Sequence, residues 1–196
     1  THGAAILAWR VVDPVAERAR KLGSITGLLV AVLFALGGLW VANLDGHVVT
    51  SVIDTAGPSN PLNKTVALEQ GAWLQNFSQW PLMWIAPGLG VVGVIMASLL
   101  LMMRRATLAF FSSSLSIAGI ILTVGFALFP FVLPSSVNPS LGLTAWDASS
   151  SHLTLWVMLI ATIIFLPIIL TYTSYVYHVM RGKVSEETLS ETPNSY

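Results

Sequence analysis

Residues 153–180 read LTLWVMLIATIIFLPIILTYTSYVYHVM: 28 positions without one Asp, Glu, Lys or Arg. About 20 apolar residues suffice for an α-helix to cross the roughly 30 Å hydrocarbon layer of a bilayer. This stretch therefore reads as a membrane span. Three further stretches, 22–44, 80–103 and 106–133, satisfy the same condition over all or nearly all of their length. The composition agrees with them. Of 196 residues, 55% are apolar and 9% charged, where soluble domains carry about 25% charged residues. Mean hydropathy is +0.76. The expected fold is an all-α integral membrane bundle of four complete spans plus the end of a truncated fifth helix, residues 1–9 (THGAAILAW), which stops at Arg10. With no initial Met and no signal-type leader, the chain reads as the C-terminal part of a longer protein.

Charge sorts the connecting segments. Arg10, Arg18, Arg20 and Lys21 precede the first complete span, Arg104 and Arg105 separate the second from the third, and Arg181 and Lys183 follow the fourth. The other two loops are poor in basic residues. Residues 45–79 hold Asp45, Asp54 and Glu69 against Lys64, and 134–152 have no Lys or Arg. Basic segments face the cytoplasm, so 45–79 and 134–152 are expected outside. The polar tail 181–196 is expected in the cytoplasm, with at most a helical turn around Ser185 to Leu189. The bundle itself is expected over 1–180.

Inside the spans, Pro87, Pro130 and Pro167 are expected to kink or end helices. Gly37-Gly38, Gly88, Gly90, Gly93 and the serines 112, 113, 114 and 116 permit close helix approach. Trp40, Trp80, Trp84, Trp156, Tyr172, Tyr175 and Tyr177 lie mostly near span ends, where amphipathic rings anchor.

Chemistry-bearing residues are sparse. Nine basic and nine acidic residues cancel, which argues against a nucleic-acid partner. The absence of Cys removes disulfides, thiolate metal sites and cysteine nucleophiles. His2 lies about two helical turns before Arg10, hence at membrane depth, and is a weak candidate for cofactor binding or proton handling. A structural hydrogen bond is the plainer reading. His47, His152 and His178 have interfacial readings. No catalytic residue and no metal ligand set is evident. Ahead of the last span, Trp146, Asp147, Ser149, Ser150 and Ser151 form a loop with several helix-cap candidates. A cap made by Asp147 would tolerate Asn and lose about 0.5–2 kcal/mol on replacement by Ala.

The outer loop and its flanks carry a resemblance. Residues 126–155, FALFPFVLPSSVNPSLGLTAWDASSSHLTL, with Pro167 to Tyr172 and Tyr177, are similar to the C-terminal end of subunit II of the cytochrome bd ubiquinol oxidase family. His2-Gly3-Ala4, Asp45-Gly46, SNPLNK at 59–64, GAWL at 71–74 and Asn76-Phe77 support it in order. The resemblance implies an eight-helix subunit of which the truncated helix is the fourth and the complete spans are the fifth to eighth. It implies a non-catalytic, haem-free part of a bacterial plasma (inner) membrane oxidase that passes electrons from quinol to oxygen. Haems b and d would sit on subunit I, the main partner, with a small single-helix accessory subunit, membrane lipid and quinone as further partners. A proton path proposed for the family uses acidic residues of its first half, which have no counterpart here. The competing reading is a transporter or channel subunit, with kinked helices lining a path. Haem d bands in the co-purified complex favour the oxidase, and a colourless preparation favours the alternative.

The charge alternation sets a first test. A reporter fused after Tyr196 is expected to behave as cytoplasmic and one inserted near Pro58 as external. The reverse pattern overturns the orientation.

Overall fold

A computed structural model describes residues 1–54, 57 and 59–179. The tail expectation for 181–196 lies outside the described residues. Six α-helices occur in order among them: α1 His2–Arg10, α2 Val15–Val41, α3 Gln75–Gln79, α4 Ile85–Met102, α5 Ala106–Leu128 and α6 His152–Val179. Strands β1 (Asp45–Val49) and β2 (Val66–Gln70) pair with each other, as do β3 (Phe131–Leu133) and β4 (Leu143–Thr144), the latter antiparallel. Four helices are long and apolar enough to cross a membrane: α2, α4 with the 3-10 turn that leads into it, α5 and α6.

Helix bounds differ from the sequence expectation in instructive places. α2 begins at Val15, so the turns carrying Glu17, Arg18, Arg20 and Lys21 are helical and extend beyond the apolar span. α5 stops at Leu128 rather than running to 133. Phe129 precedes Pro130, a position that disfavours helix, and the chain continues as β3. Pro130 therefore lies outside a helix. Pro87 is the third residue of α4, where a missing N–H costs no intrahelical bond, and only Pro167 is interior.

The chain divides into two compact units. In the first, residues 1–45 and 70–127, the core is made of small side chains. Ala5 and Ala8 of α1, Ala16, Ala19, Gly23, Ser24, Gly27 and Ala31 of α2, and Ala86, Gly90, Gly93, Ala97 and Ser98 of α4 are buried. Their spacing of three and four residues lays each set along one face of its helix. Small faces let backbones approach, which brings hydroxyls within reach of carbonyls on the next helix. Ser24 Oγ shares its hydrogen between the carbonyl of Arg20 on its own helix, at 2.8 Å, and that of Ser98 on α4, at 3.1 Å. Ser116 and Ser112 of α5 donate to the carbonyls of Gly90 and Gly93 at 2.6 and 2.9 Å. Gly119 faces the α4 backbone so closely that a Cβ there would lie 2.6 Å from Gly90 N and 2.7 Å from Ala86 O.

α4 ends in a Schellman turn. The N–H of Arg105 reaches the carbonyl of Leu100 at 2.8 Å and that of Arg104 reaches Leu101 at 3.1 Å. Arg104 takes the left-handed conformation, φ 60°, at the position where this motif favours glycine.

The second unit, whose described residues fall within 46–69 and 128–179, contains most of the β1–β2 pair, the β3–β4 pair and α6. No residue of α6 is buried.

The α4–α5 crossing yields a contrast between two glycines. Gly119→Ala must push backbone against backbone, and overpacking of this kind typically costs about 1–3 kcal/mol. Gly37→Ala, with nothing within 4 Å of the new Cβ, is expected to leave stability unchanged or raise it by up to about 1 kcal/mol. Thermal unfolding of the two purified variants in detergent checks the difference.

Candidate functional site

Two places concentrate polar chemistry, one in each unit. In the first, α1 carries His2 eight residues before Arg10, about 12 Å along the helix axis. Nδ1 of His2 lies 2.8 Å from Ser113 Oγ on α5, and the ring stacks on Phe110 at 4.8 Å between centroids. The Ser113 hydroxyl hydrogen is already committed to the Phe110 carbonyl, at 2.8 Å. While that hydroxyl donates to the carbonyl, it accepts from an imidazole protonated at Nδ1. This bond joins α1 to α5, with the Trp9 ring beside Phe110 at 5.7 Å.

The other histidines are dispersed. His47 Nε2 donates to the carbonyl of Ser135 at 3.0 Å, and its ring meets the edge of buried Phe131. His152 opens α6 beside Trp156, and His178 lies in its last turn. Haem iron needs one or two imidazole or thioether groups converging on one face of the macrocycle or on both. Among the described residues no group of three His, Asp or Glu could hold a metal ion.

The second place is the loop expected to precede the last span. Lys64 and Asp147 meet there, Nζ to Oδ2 at 2.5 Å, with side chains only 2% and 6% exposed. Oδ1 of Asp147 accepts the Thr144 N–H at 2.6 Å, and the Lys64 ammonium also donates to the Pro61 carbonyl at 2.9 Å. A charge in so dry a position is stable only when paired and hydrogen-bonded. Burial by itself raises the Asp147 pKa. The hydrogen bond from Lys64, the amide and hydroxyl of Thr144, and the lysine charge outweigh it and hold the carboxyl below the ordinary value.

The loop residues singled out from sequence fall into distinct roles. The side chain that meets the opening amides of α6 is Ser151, whose Oγ accepts from Thr154 N at 3.4 Å. Asp147 faces Thr144 and Lys64 instead, so its carboxylate does not act as the helix cap. Trp146 packs edge-on against Phe129 at 5.6 Å. Ser149 donates weakly to the Trp146 carbonyl, at 3.4 Å, and its own carbonyl accepts from Ser59 Oγ at 2.9 Å. Ser150 is exposed. Sequence reasoning missed Lys64. The available signal was a lone lysine in an otherwise acidic loop.

With this geometry in hand, comparison with known proteins is informative. Residues 1–180 match the family described as cytochrome bd terminal oxidase subunit II. The chain belongs to that family. It is 45% identical over 196 residues to the cytochrome bd-I ubiquinol oxidase subunit 2 of Escherichia coli K12. It is 40% identical over 195 residues to a protein of Haemophilus influenzae named probable cytochrome oxidase subunit 2. Each alignment covers 100% of this chain and 52% of the relative, so the chain spans about half the length of the curated relatives it matches.

The buried pair changes the expected effect of Asp147 substitutions. Asn would satisfy a cap, but it leaves the Lys64 ammonium buried without a counter-charge. Breaking such a pair typically costs about 3–5 kcal/mol, whereas replacing both partners by apolar residues is often neutral. Asp147→Asn and Asp147→Ala are therefore both expected to destabilise, and Lys64→Met with Asp147→Leu to recover most of the loss. Because the folded pKa is depressed, the contribution is complete above the unfolded value of about 3.9 and fades as pH falls through the lower folded one. Limited proteolysis of the loops as a function of pH checks both expectations. Equal protease resistance of Asp147→Asn and the parent overturns them.

Proposed function

We propose that this chain acts in subunit II of a bd-type quinol oxidase of the bacterial inner membrane, as a haem-free scaffold beside the subunit that carries the haems. The observation that carries the reading is the family match over residues 1–180 joined to the chemistry of the helices. The polar groups of α1, α2, α4 and α5 described above hold one helix to another. Ser24, Ser112 and Ser116 bind backbone carbonyls across helix pairs, and His2 binds Ser113. The four spans contribute no carboxylate at membrane depth from which to build a proton relay.

Haems b and d, on subunit I, would supply electron transfer from quinol to oxygen. This chain's own part is mechanical. Small-residue faces fix the crossings of α2, α4 and α5, and the Lys64–Asp147 pair fixes the loops expected outside. The exposed apolar surface of α6 is available to subunit I, an accessory helix, quinone or lipid. The basic loops and the tail face the cytoplasm in this reading, following the charge alternation.

Produced by itself, the chain is expected to show no haem absorption and no quinol-dependent oxygen uptake. Supplying the remaining length that its relatives possess, together with subunit I, restores both. Stoichiometric haem on the isolated chain overturns the scaffold reading and makes His2 the first residue to mutate.

A further inference from the structure

A cavity of about 420 Å³ opens between α2 and the end of α4. At one end stand three cations, Arg20, Lys21 and Arg104, with one carboxylate, Glu17. Farther along α2 the lining is apolar, with Ile25 and Leu28, while Leu101 and Met102 of α4 line the cavity beside Arg104. Along α2, Leu28 lies seven residues beyond Lys21, about 11 Å at the helical rise. The charge-to-apolar gradient therefore follows the direction in which a phospholipid passes from phosphate to acyl chain.

The cations are not equally committed. Arg20 is held by Asp13 at 2.8 Å and is largely buried. Lys21 approaches Glu17 at 3.7 Å with both side chains exposed, a geometry of little energetic weight. Arg104 has no acidic partner among the described residues. Its backbone occupies the left-handed position of the Schellman turn, where glycine is the favoured residue. An arginine at that point adds a charge at the cavity mouth where the turn alone favours none.

We propose that Arg20, Lys21 and Arg104 bind the phosphate of an anionic glycerophospholipid whose acyl chain lies along Ile25 and Leu28. Basic pockets between helices at a membrane boundary suit such headgroups. A free phosphate would leave the apolar half of the cavity unused. The proposal rests on α2 and α4 crossing a membrane and is independent of the oxidase reading.

The test places the purified protein, in its native complex, in phosphatidylcholine nanodiscs. These carry a trace of either phosphatidylglycerol or phosphatidylcholine bearing a photoreactive acyl chain. Mass spectrometry of the peptides around residues 25–28 is expected to show at least about 25-fold more labelling by phosphatidylglycerol. Each cation near a membrane surface is worth about fivefold in binding, so Lys21→Gln with Arg104→Gly is expected to lower that labelling about 25-fold. Labelling by phosphatidylcholine stays unchanged. Arg104→Gly relieves the left-handed backbone, so its thermal stability holds or rises while labelling falls, and Arg104→Lys retains labelling. Equal labelling by the two lipids, phosphatidylglycerol labelling indifferent to the charge removals, or displacement by millimolar inorganic phosphate overturns the proposal. So does a groove filled by a protein segment instead of lipid.

Discussion

A polar group inside hydrocarbon has no water to turn to, so its partner must be found within the protein. That requirement shapes the bundle. Helices meet their own backbone needs, and the hydroxyls added by serine and threonine must find carbonyls. Some do so on their own helix, as Thr123 does with Gly119 and Thr162 with Met158. Ser24, Ser112 and Ser116 reach a neighbouring helix. They can do so only because glycines remove the side chains that would hold the backbones apart, Gly27 against Ser98 for the first and Gly90, Gly93 and Gly119 at the α4–α5 crossing for the other two. Close packing and polar satisfaction are thus one solution here.

The same requirement explains why the chemistry is quiet. His2 is the imidazole expected at membrane depth, yet its Nδ1 is bonded to Ser113 Oγ and Phe110 covers one face of its ring. Its environment resembles that of a strut between helices. Where full charges are buried, at Lys64 and Asp147, they lie in the loop unit and neutralise each other.

Much of the fold was legible in the sequence because hydropathy and length alone decide what can cross a bilayer. The four spans needed only runs of apolar residues, and the family resemblance needed only the ordered loop motifs. Less legible was whatever depends on residues distant in the chain. Lys64 and Asp147 each read as an ordinary loop charge, and only the fold brings them together. The two short strand pairs left no clear alternation in these loops. Pro130 was placed within a span because the apolar run continues past it, although the backbone turns from helix to strand there. The small-residue faces were visible, but the direction of each serine hydroxyl was not, because it depends on which carbonyl the crossing presents.

The Lys64–Asp147 pair also bears on biogenesis. Lys64 is synthesised before α4 and α5, and Asp147 after them. During insertion the lysine leaves the synthetic machinery long before its counter-ion exists, and must remain hydrated until both intervening helices have been laid down. Burial of that ammonium is therefore a late event. It closes the loop unit only once the chain has threaded back, so failure of one of the two intervening helices to insert would leave the lysine and the aspartate on opposite sides of the bilayer.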